Sequence, residues 1–283
     1  MNYRHAYHAG NHADVLKHAV LARCVDYLAS KDKAFAVLDA HAGIGTYDLA
    51  GAEATKTGEW RGGVGLLDSA FEPEVEAVLA PYRRCVSAVN PQGGLRFYPG
   101  SPEIILQCMR PGDRLLANEL HPLDALTLRA AYRGEQRLNV LEQDALAAVK
   151  AQLPFKERRG LVLIDPPYEV PEETDIVCAL LRQGVRRFPT GMFVIWYPVT
   201  TEDFVDHLLQ KAGALGVGNI IKAELRVKNT HEASGLSGSG LLIVNPPFIL
   251  PAELAILLPA LAQRLGKEGL GHCEVSWLTP KKG

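Results

Sequence analysis

Two hydrophobic rhythms alternate along this chain. From Asn11 to about Ser30, Val15, Leu16, Ala19, Val20 and Leu28 recur at helical spacing. Continuous apolar runs then punctuate further helical segments. AFAVLDAHAGIG (34–45) predicts a strand feeding a glycine turn, and RLLANEL (114–120), RLNVLEQDA (137–145), GLVLIDPPY (160–168) and GMFVIWYP (191–198) predict four more strands. An unbroken apolar run of this kind reads as a strand buried on both faces, as in a parallel sheet. Helices are predicted through Leu128, near Asp175–Arg186 and from about Glu202. IIKAELRV (220–227) and GLLIVNPPF (240–248) predict an antiparallel finish joined by the loop KNTHEASGLSGS. Helices between successive strands imply an α/β, doubly wound, mainly parallel sheet whose ligands lie at the carboxyl ends of its strands. No internal repeat or low-complexity linker interrupts the pattern.

Composition narrows this picture without redirecting it. The 283 residues suit one large α/β domain (1–283) with an insertion, and 47% hydrophobic with 22% charged residues is ordinary for a soluble globular chain. No run has the length of a membrane span, and the start MNYRHAYHAG is no signal peptide. Five scattered cysteines without a CxxC pair favour a reduced, cytoplasmic setting over a disulfide framework. A monomer is expected. The net charge of −2 argues against indiscriminate nucleic-acid binding yet leaves room for a local basic face.

The first strand's exit carries the cofactor signal. In DAHAGIG (39–45), Gly43 and Gly45 stand where a tight turn lets a ligand approach the backbone, but the third glycine of a dinucleotide fingerprint would be Asp48. No convincing helix starts at the turn. A glycine-rich stretch (58–65) leads into a separate amphipathic segment, 73–89, and the next good helix start is GSPE (100–103), with Ser101 as the expected N-cap and Pro102 at N1. Glu119 follows Ser101 by about the 20 residues expected for a ribose-binding acid. A helical insertion over 47–98, between the first strand and its helix, is therefore predicted. Three acids then close three successive strands: Glu119 to accept from ribose hydroxyls, Asp144 from an adenine amine, and Asp165 facing the reaction centre. The chain has no Walker lysine motif, and its first strand exits through a lone GxG turn without the third glycine, so S-adenosylmethionine fits better than ATP or NAD.

Asp-Pro-Pro-Tyr (165–168) resembles the catalytic motif of adenine-N6 methyltransferases. Together, YRHAYHAGNHADVLKH (3–18), DAHAGIG (39–45), YPGSP (98–102), NELHP (118–122) and IDPPYE (164–169) are similar to the ribosomal RNA large-subunit methyltransferase J family over essentially the whole chain. The resemblance implies a Rossmann-like, S-adenosylmethionine-dependent methyltransferase with a small helical insertion, acting on an adenine N6 of 23S rRNA, supplied as free RNA before full ribosome assembly. It implies Asp165 as the catalytic acid. Lys17, His18, His41, Ser101, Glu119, Asp144 and Ala145 would line the cofactor site, and Tyr3, with Arg4 and His5 beside it, would touch the RNA. Where Ala145 stands the family often has glycine; a backbone contact would tolerate the change.

Adenine N6 is a poor nucleophile because its lone pair is delocalised into the ring. The Asp165 carboxylate and the Pro166 carbonyl, accepting from the two N6 hydrogens, would free that lone pair, and proline rigidity would fix both acceptors in advance. Tyr168 would stack on a base extruded from its helix. Asn-Pro-Pro-Phe (245–248) matches the same loose pattern. It is read as a structural strand end, because it follows the fifth strand and leaves little chain for the elements that come after a catalytic strand.

The sequence also offers other functions. DNA adenine or a glutamine side chain are alternative acceptors, since DPPY-type motifs serve several planar amines. A metal-dependent hydrolase could use the histidines at 5, 8, 12 and 18, but Gly10 breaks the helical face that His8 and His12 would share, and no cysteine or paired carboxylate completes a metal site. A non-catalytic RNA-binding module would explain the arginines at 158–159 and 186–187, though not three strand-end acids.

Overall fold

The unbroken apolar runs become strands because helices cover both of their faces. The computed structural model describes residues 4–170, 172–228 and 235–280. In chain order the elements are α1 (His12–Ala29), β1 (Ala36–Asp39), β2 (Thr46–Asp48), α2 (Ala52–Thr57), α3 (Pro73–Ala88), β3 (Phe97–Pro99), α4 (Ser101–Cys108), β4 (Arg114–Asn118), α5 (Pro122–Ala131), β5 (Leu138–Leu141), α6 (Ala145–Gln152), β6 (Gly160–Ile164), α7 (Glu173–Arg187), β7 (Met192–Val199), α8 (Glu202–Gly213), β8 (Ile220–Arg226), β9 (Gly238–Val244), α9 (Leu250–Leu265) and β10 (His272–Thr279).

One 8-stranded sheet has the order β10-β8-β9-β7-β6-β1-β4-β5. Its β5-β4-β1-β6-β7 stretch is parallel, while β9 runs antiparallel between β7 and β8. The expected pairing of 220–227 with 240–248 is present, from Ile220 opposite Val244 to Arg226 opposite Gly238. The chain does not end there. After β9 come α9 and then β10, which pairs antiparallel with β8 along the sheet edge. A helix and a strand thus follow Asn245, so shortage of chain does not set that motif aside; the direction of β9 does.

Strand side chains alternate between two cores. Val37, Leu115, Leu161 and Leu163 pack with α1, α3, α4 and α9, whereas Leu38, Leu116, Val162 and Ile164 pack with α6, α7 and α8. The helix α1 starts cleanly because Asn11 Oδ1 accepts from Ala13 N and Asp14 N, at 2.9 and 3.0 Å. It is buried on nearly every face, so Asp14, Lys17 and His18 lie inside the protein and need partners. Between β1 and α4, the strands β2 and β3 form a short antiparallel ribbon, Tyr47 opposite Tyr98, from which 49–96 departs and to which it returns. Val75, Val78, Leu79 and Tyr82 of this excursion join the core that also holds α1.

Candidate active site

At the carboxyl edge of the sheet, backbone groups from three strands are tied together. Asn118, which ends β4, donates through Nδ2 to Ala40 O (3.1 Å) and Gln143 O (2.9 Å) and accepts from Gln143 N (3.2 Å). Beyond β1 the chain turns sharply, with Gly43 at φ +64 and Gly45 at φ +91. A Cβ on Gly45 would stand 2.4 Å from Tyr132 Cε2, so the turn has room for glycine alone. Glu119 secures the turn: Oε2 accepts from Gly43 N and Oε1 from His121 N, both at 2.8 Å. Burial pushes its carboxyl above the usual range, although the two N–H groups pull the other way.

Asp165 leaves β6 within an ionic cluster rooted in α1. Lys17 Nζ lies 2.5 Å from Asp165 Oδ2 and 2.9 Å from Asp14 Oδ1. Asp14 Oδ2 in turn takes His5 Nε2 and Gly10 N, each at 2.9 Å. Burial opposes charge on Lys17, but the two carboxylates outweigh it and hold the ammonium above its usual pKa. Asp14, despite a burial penalty, is held well below the usual carboxylate range by His5, Lys17 and His18. The Asp165 backbone is also fixed, since its N–H donates to His41 Nδ1 at 3.2 Å. Burial pushes His41 down to about 4, so the imidazole is neutral and able to accept.

Asp39 is fully buried at the end of β1. Its Oδ1 accepts from His41 N at 3.3 Å, while Oδ2 meets no partner among the described residues. Burial lifts its carboxyl to about 7, with Ser101 acting in the opposite direction. Ser101 is not the N-cap of α4. Gly100 fills that place at ψ 178, and Ser101 is the first residue of the helix, where it favours the charged form of Asp39. Asp144 is the true N-cap of α6, with Oδ1 accepting from Leu146 N and Ala147 N at 3.0 and 3.1 Å; Ala145 begins the helix. After Asp165 come the buried Pro166 and then Tyr168, at φ +52. The Tyr168 hydroxyl donates to Trp196 O at 3.0 Å, and its ring meets Trp196 and Phe204 edge-on, each at 5.7 Å between centroids.

The fold thus brings Lys17, His41, Gly43, Ser101, Glu119, Asp144 and Asp165 to one edge. His18 lies deeper, 1% exposed, with Nδ1 2.9 Å from Tyr98 Oη and its pKa pushed down by burial to about 3. Arg4 is exposed, His5 is engaged by Asp14, and Tyr3 lies outside the described residues. Asn245 is at the other edge. Because β9 runs antiparallel, its end pairs with the start of β7, Val244 opposite Phe193, and Asn245 Nδ2 donates to Pro189 O (2.9 Å) and Gly191 O (2.8 Å). Among the described residues no group of three or more His, Cys, Asp or Glu could hold a metal ion. No helix among them is long and apolar enough to cross a membrane.

A family model described as "Ribosomal RNA large subunit methyltransferase D, RlmJ" matches residues 32–279. The chain belongs to the ribosomal RNA large subunit methyltransferase J family. The protein named "Ribosomal RNA large subunit methyltransferase J" in Haemophilus influenzae is 41% identical over 283 residues, covering 99% of this chain and 100% of that one. The protein of the same name in Escherichia coli is 39% identical over 281 residues, with 99% and 100% covered. A solved structure, protein LPL1258 from Legionella pneumophila, has a TM-score of 0.86 at 30% identity, covering 95% of this chain and 98% of that one. The sheet order seen here is accordingly that of a Rossmann-like methyltransferase fold, and the chain is a methyltransferase of this family.

Asp14, Asp39 and Asn118 escaped the sequence reading, which had named Lys17 but not its partner. Asp14 and Lys17, three apart in a helix buried all round, are a readable warning, since charges there must be paired. Asp39 opens the glycine motif but looks like any strand-end acid. Asn118 looks like a turn residue, and its clamp across β1, β4 and β5 emerges only in three dimensions.

Proposed function

We propose that this family member transfers a methyl group from S-adenosylmethionine to N6 of an adenine in 23S rRNA, with the base flipped out to the Asp165–Tyr168 corner. The observation that carries the reading is the immobilised carboxylate. Lys17 takes Asp165 Oδ2, His41 takes the Asp165 N–H, and Oδ1 is left to accept from the target amine. The residues present fit the cofactor: a buried Asp39 oxygen without a partner lies beside the glycine turn, and acids end β4 and β5 on the adenosine side. When bound, S-adenosylmethionine supplies an electrophilic methyl group. Glu119 accepts from the ribose hydroxyls, while Asp144 uses Oδ2, the oxygen not spent on capping, for the adenine amine. Lys17, His41, Ser101 and the Gly43 and Ala145 backbones complete that wall, and His18 acts through Tyr98, which leads into the turn carrying Ser101.

On the target side, Asp165 Oδ1 and the Pro166 carbonyl accept from the two N6 hydrogens and raise the nucleophilicity of the nitrogen. The acceptors are rigid before the base arrives, which is how preorganised polar groups lower a barrier. Tyr168, braced by Trp196 and Phe204, offers a stacking surface for the extruded base. Tyr3, Arg4 and His5 contact the RNA, and His5 couples that segment to Asp14. The 47–98 excursion serves as a helical insertion subdomain around a single methyltransferase domain. On this reading a monomer works in the cytoplasm on free RNA before assembly.

The test is transfer of labelled methyl groups to total rRNA, DNA and protein from a strain lacking this gene. Label is expected in 23S rRNA as N6-methyladenosine. Label only in DNA or protein would overturn the assignment.

A further inference from the structure

The amino end of α1 is surrounded by cations that have no carboxylate within ion-pair distance among the described residues. Lys56, near the end of α2, is exposed and lies 5.7 Å from the centroid of the Tyr7 ring. Arg61 is exposed with its guanidinium 5.2 Å from the centroid of Trp60. Lys267, just past α9, is exposed, and its backbone N–H donates to Val227 O at 2.7 Å, which places it at the end of β8. Lys267 acts electrostatically on His12, the first residue of α1, where Glu59 acts in the opposite sense. Exposed Arg4 precedes the short turn that leads into the helix.

Many arginines elsewhere in the chain are neutralised in ion pairs. Arg23, Arg84, Arg114, Arg129, Arg137 and Arg226 each hold a carboxylate. A chain of net charge −2 that leaves several cations unpaired on one face, two of them over aromatic rings, has a local field suited to a polyanion. The macrodipole of α1 adds positive potential at the same end. From His12 to Lys17, which grips Asp165, the helix rises only about 8 Å, at roughly 1.5 Å per residue. The face therefore adjoins the site where the target base must enter.

We propose that Lys56, Arg61 and Lys267 form the docking surface for the sugar–phosphate backbone beside the flipped adenine, a proposal that rests on RNA being the substrate. Each contact releases condensed counterions, so its removal weakens RNA binding and flattens the salt dependence. Arg182 and Arg186 provide the control. They are also exposed and without an ion pair among the described residues, but they line a groove of about 490 Å³ with Asn219 and Asn245 at the far edge of the sheet.

The experiment compares wild type, Lys56→Ala/Arg61→Ala/Lys267→Ala and Arg182→Ala/Arg186→Ala in steady-state methylation of a 23S rRNA fragment between 50 and 200 mM KCl, roughly the range over which counterion release is read. For the triple variant, KM is expected to rise about tenfold or more, with the slope of log affinity against log salt reduced by about 1 per residue. Its kcat at saturating RNA, its S-adenosylmethionine affinity and its melting temperature should stay near wild type. The far-edge double variant should match wild type throughout. An active wild type with an unchanged triple variant, or an equal loss in both variants, would overturn the surface alone. A wild type that methylates no RNA would overturn the substrate reading and the surface with it.

Discussion

Replacing Lys17 by methionine keeps the length of the side chain and removes its charge. The structure sets the cost, because Lys17 is 4% exposed and bridges two carboxylates, Asp14 at 2.9 Å and Asp165 at 2.5 Å. Their side chains are themselves only 2% and 14% exposed, so water cannot take the ammonium's place. Breaking a buried pair by removing one partner costs about 3–5 kcal/mol, mostly as the penalty of the stranded charge. For a chain of this size each kcal/mol lowers Tm by roughly 2–4 °C, so a fall of about 6–20 °C is expected in thermal unfolding. Adding Asp14→Asn removes one stranded carboxylate and should recover part of that loss without restoring methyl transfer, since Asp165 still lacks its anchor. Lys17→Met with Tm within about 1 °C of wild type, or no recovery in the double variant, would refute the view that this cluster is a desolvated, mutually dependent unit.

Glu119→Ala removes the acceptor for Gly43 N and His121 N as well as the proposed ribose acceptor, and should weaken S-adenosylmethionine binding by about 1–3 kcal/mol, read by isothermal titration; unchanged affinity would exclude the ribose role. Asp39, with its carboxyl lifted by burial to about 7 from an ordinary 3.8, binds its proton more tightly folded than unfolded. Its contribution to stability is therefore present at acid pH and is lost as pH rises between about 4 and 7. Asp39→Asn imitates the protonated form, so its Tm relative to wild type should improve from pH 5 to pH 8; a difference independent of pH would show that Asp39 does not titrate in this window.

Much of the fold was legible because strands β1, β4, β6 and β7 are covered on both faces and so spell continuous apolar runs. By contrast, β10 is an edge strand reading HCEVSWLT, half-exposed along its length, and it carries no such signal. The helix α9 was hidden by Pro251 and Pro259. The start of α4 was misjudged by one residue because an N-cap is defined by backbone angles, and Gly100 adopts them while Ser101 is already helical. At the site, strand-end acids could be read because a parallel sheet delivers them to one edge. The link from Lys17 to Asp165 could not, since it spans 148 residues of chain and depends on where α1 packs. Asn245 shows the limit of motif reading: its sequence imitates Asp165, but the direction of β9 carries it to the opposite edge, where it satisfies two carbonyls.

The most direct test of the account is single-turnover methylation of an rRNA fragment by folded, cofactor-saturated protein carrying Asp165→Ala or Asn245→Ala. Asp165→Ala should still titrate S-adenosylmethionine, because Glu119, Asp144 and the glycine turn are untouched, while methyl transfer falls by at least about 100-fold, the lower end for loss of a preorganised polar group in a transition state. Asn245→Ala should lose about 1 kcal/mol of stability with its hydrogen bonds to the Pro189 and Gly191 carbonyls, and keep most of its activity. An inactive Asn245→Ala beside an Asp165→Ala that still turns over would contradict the account at its centre.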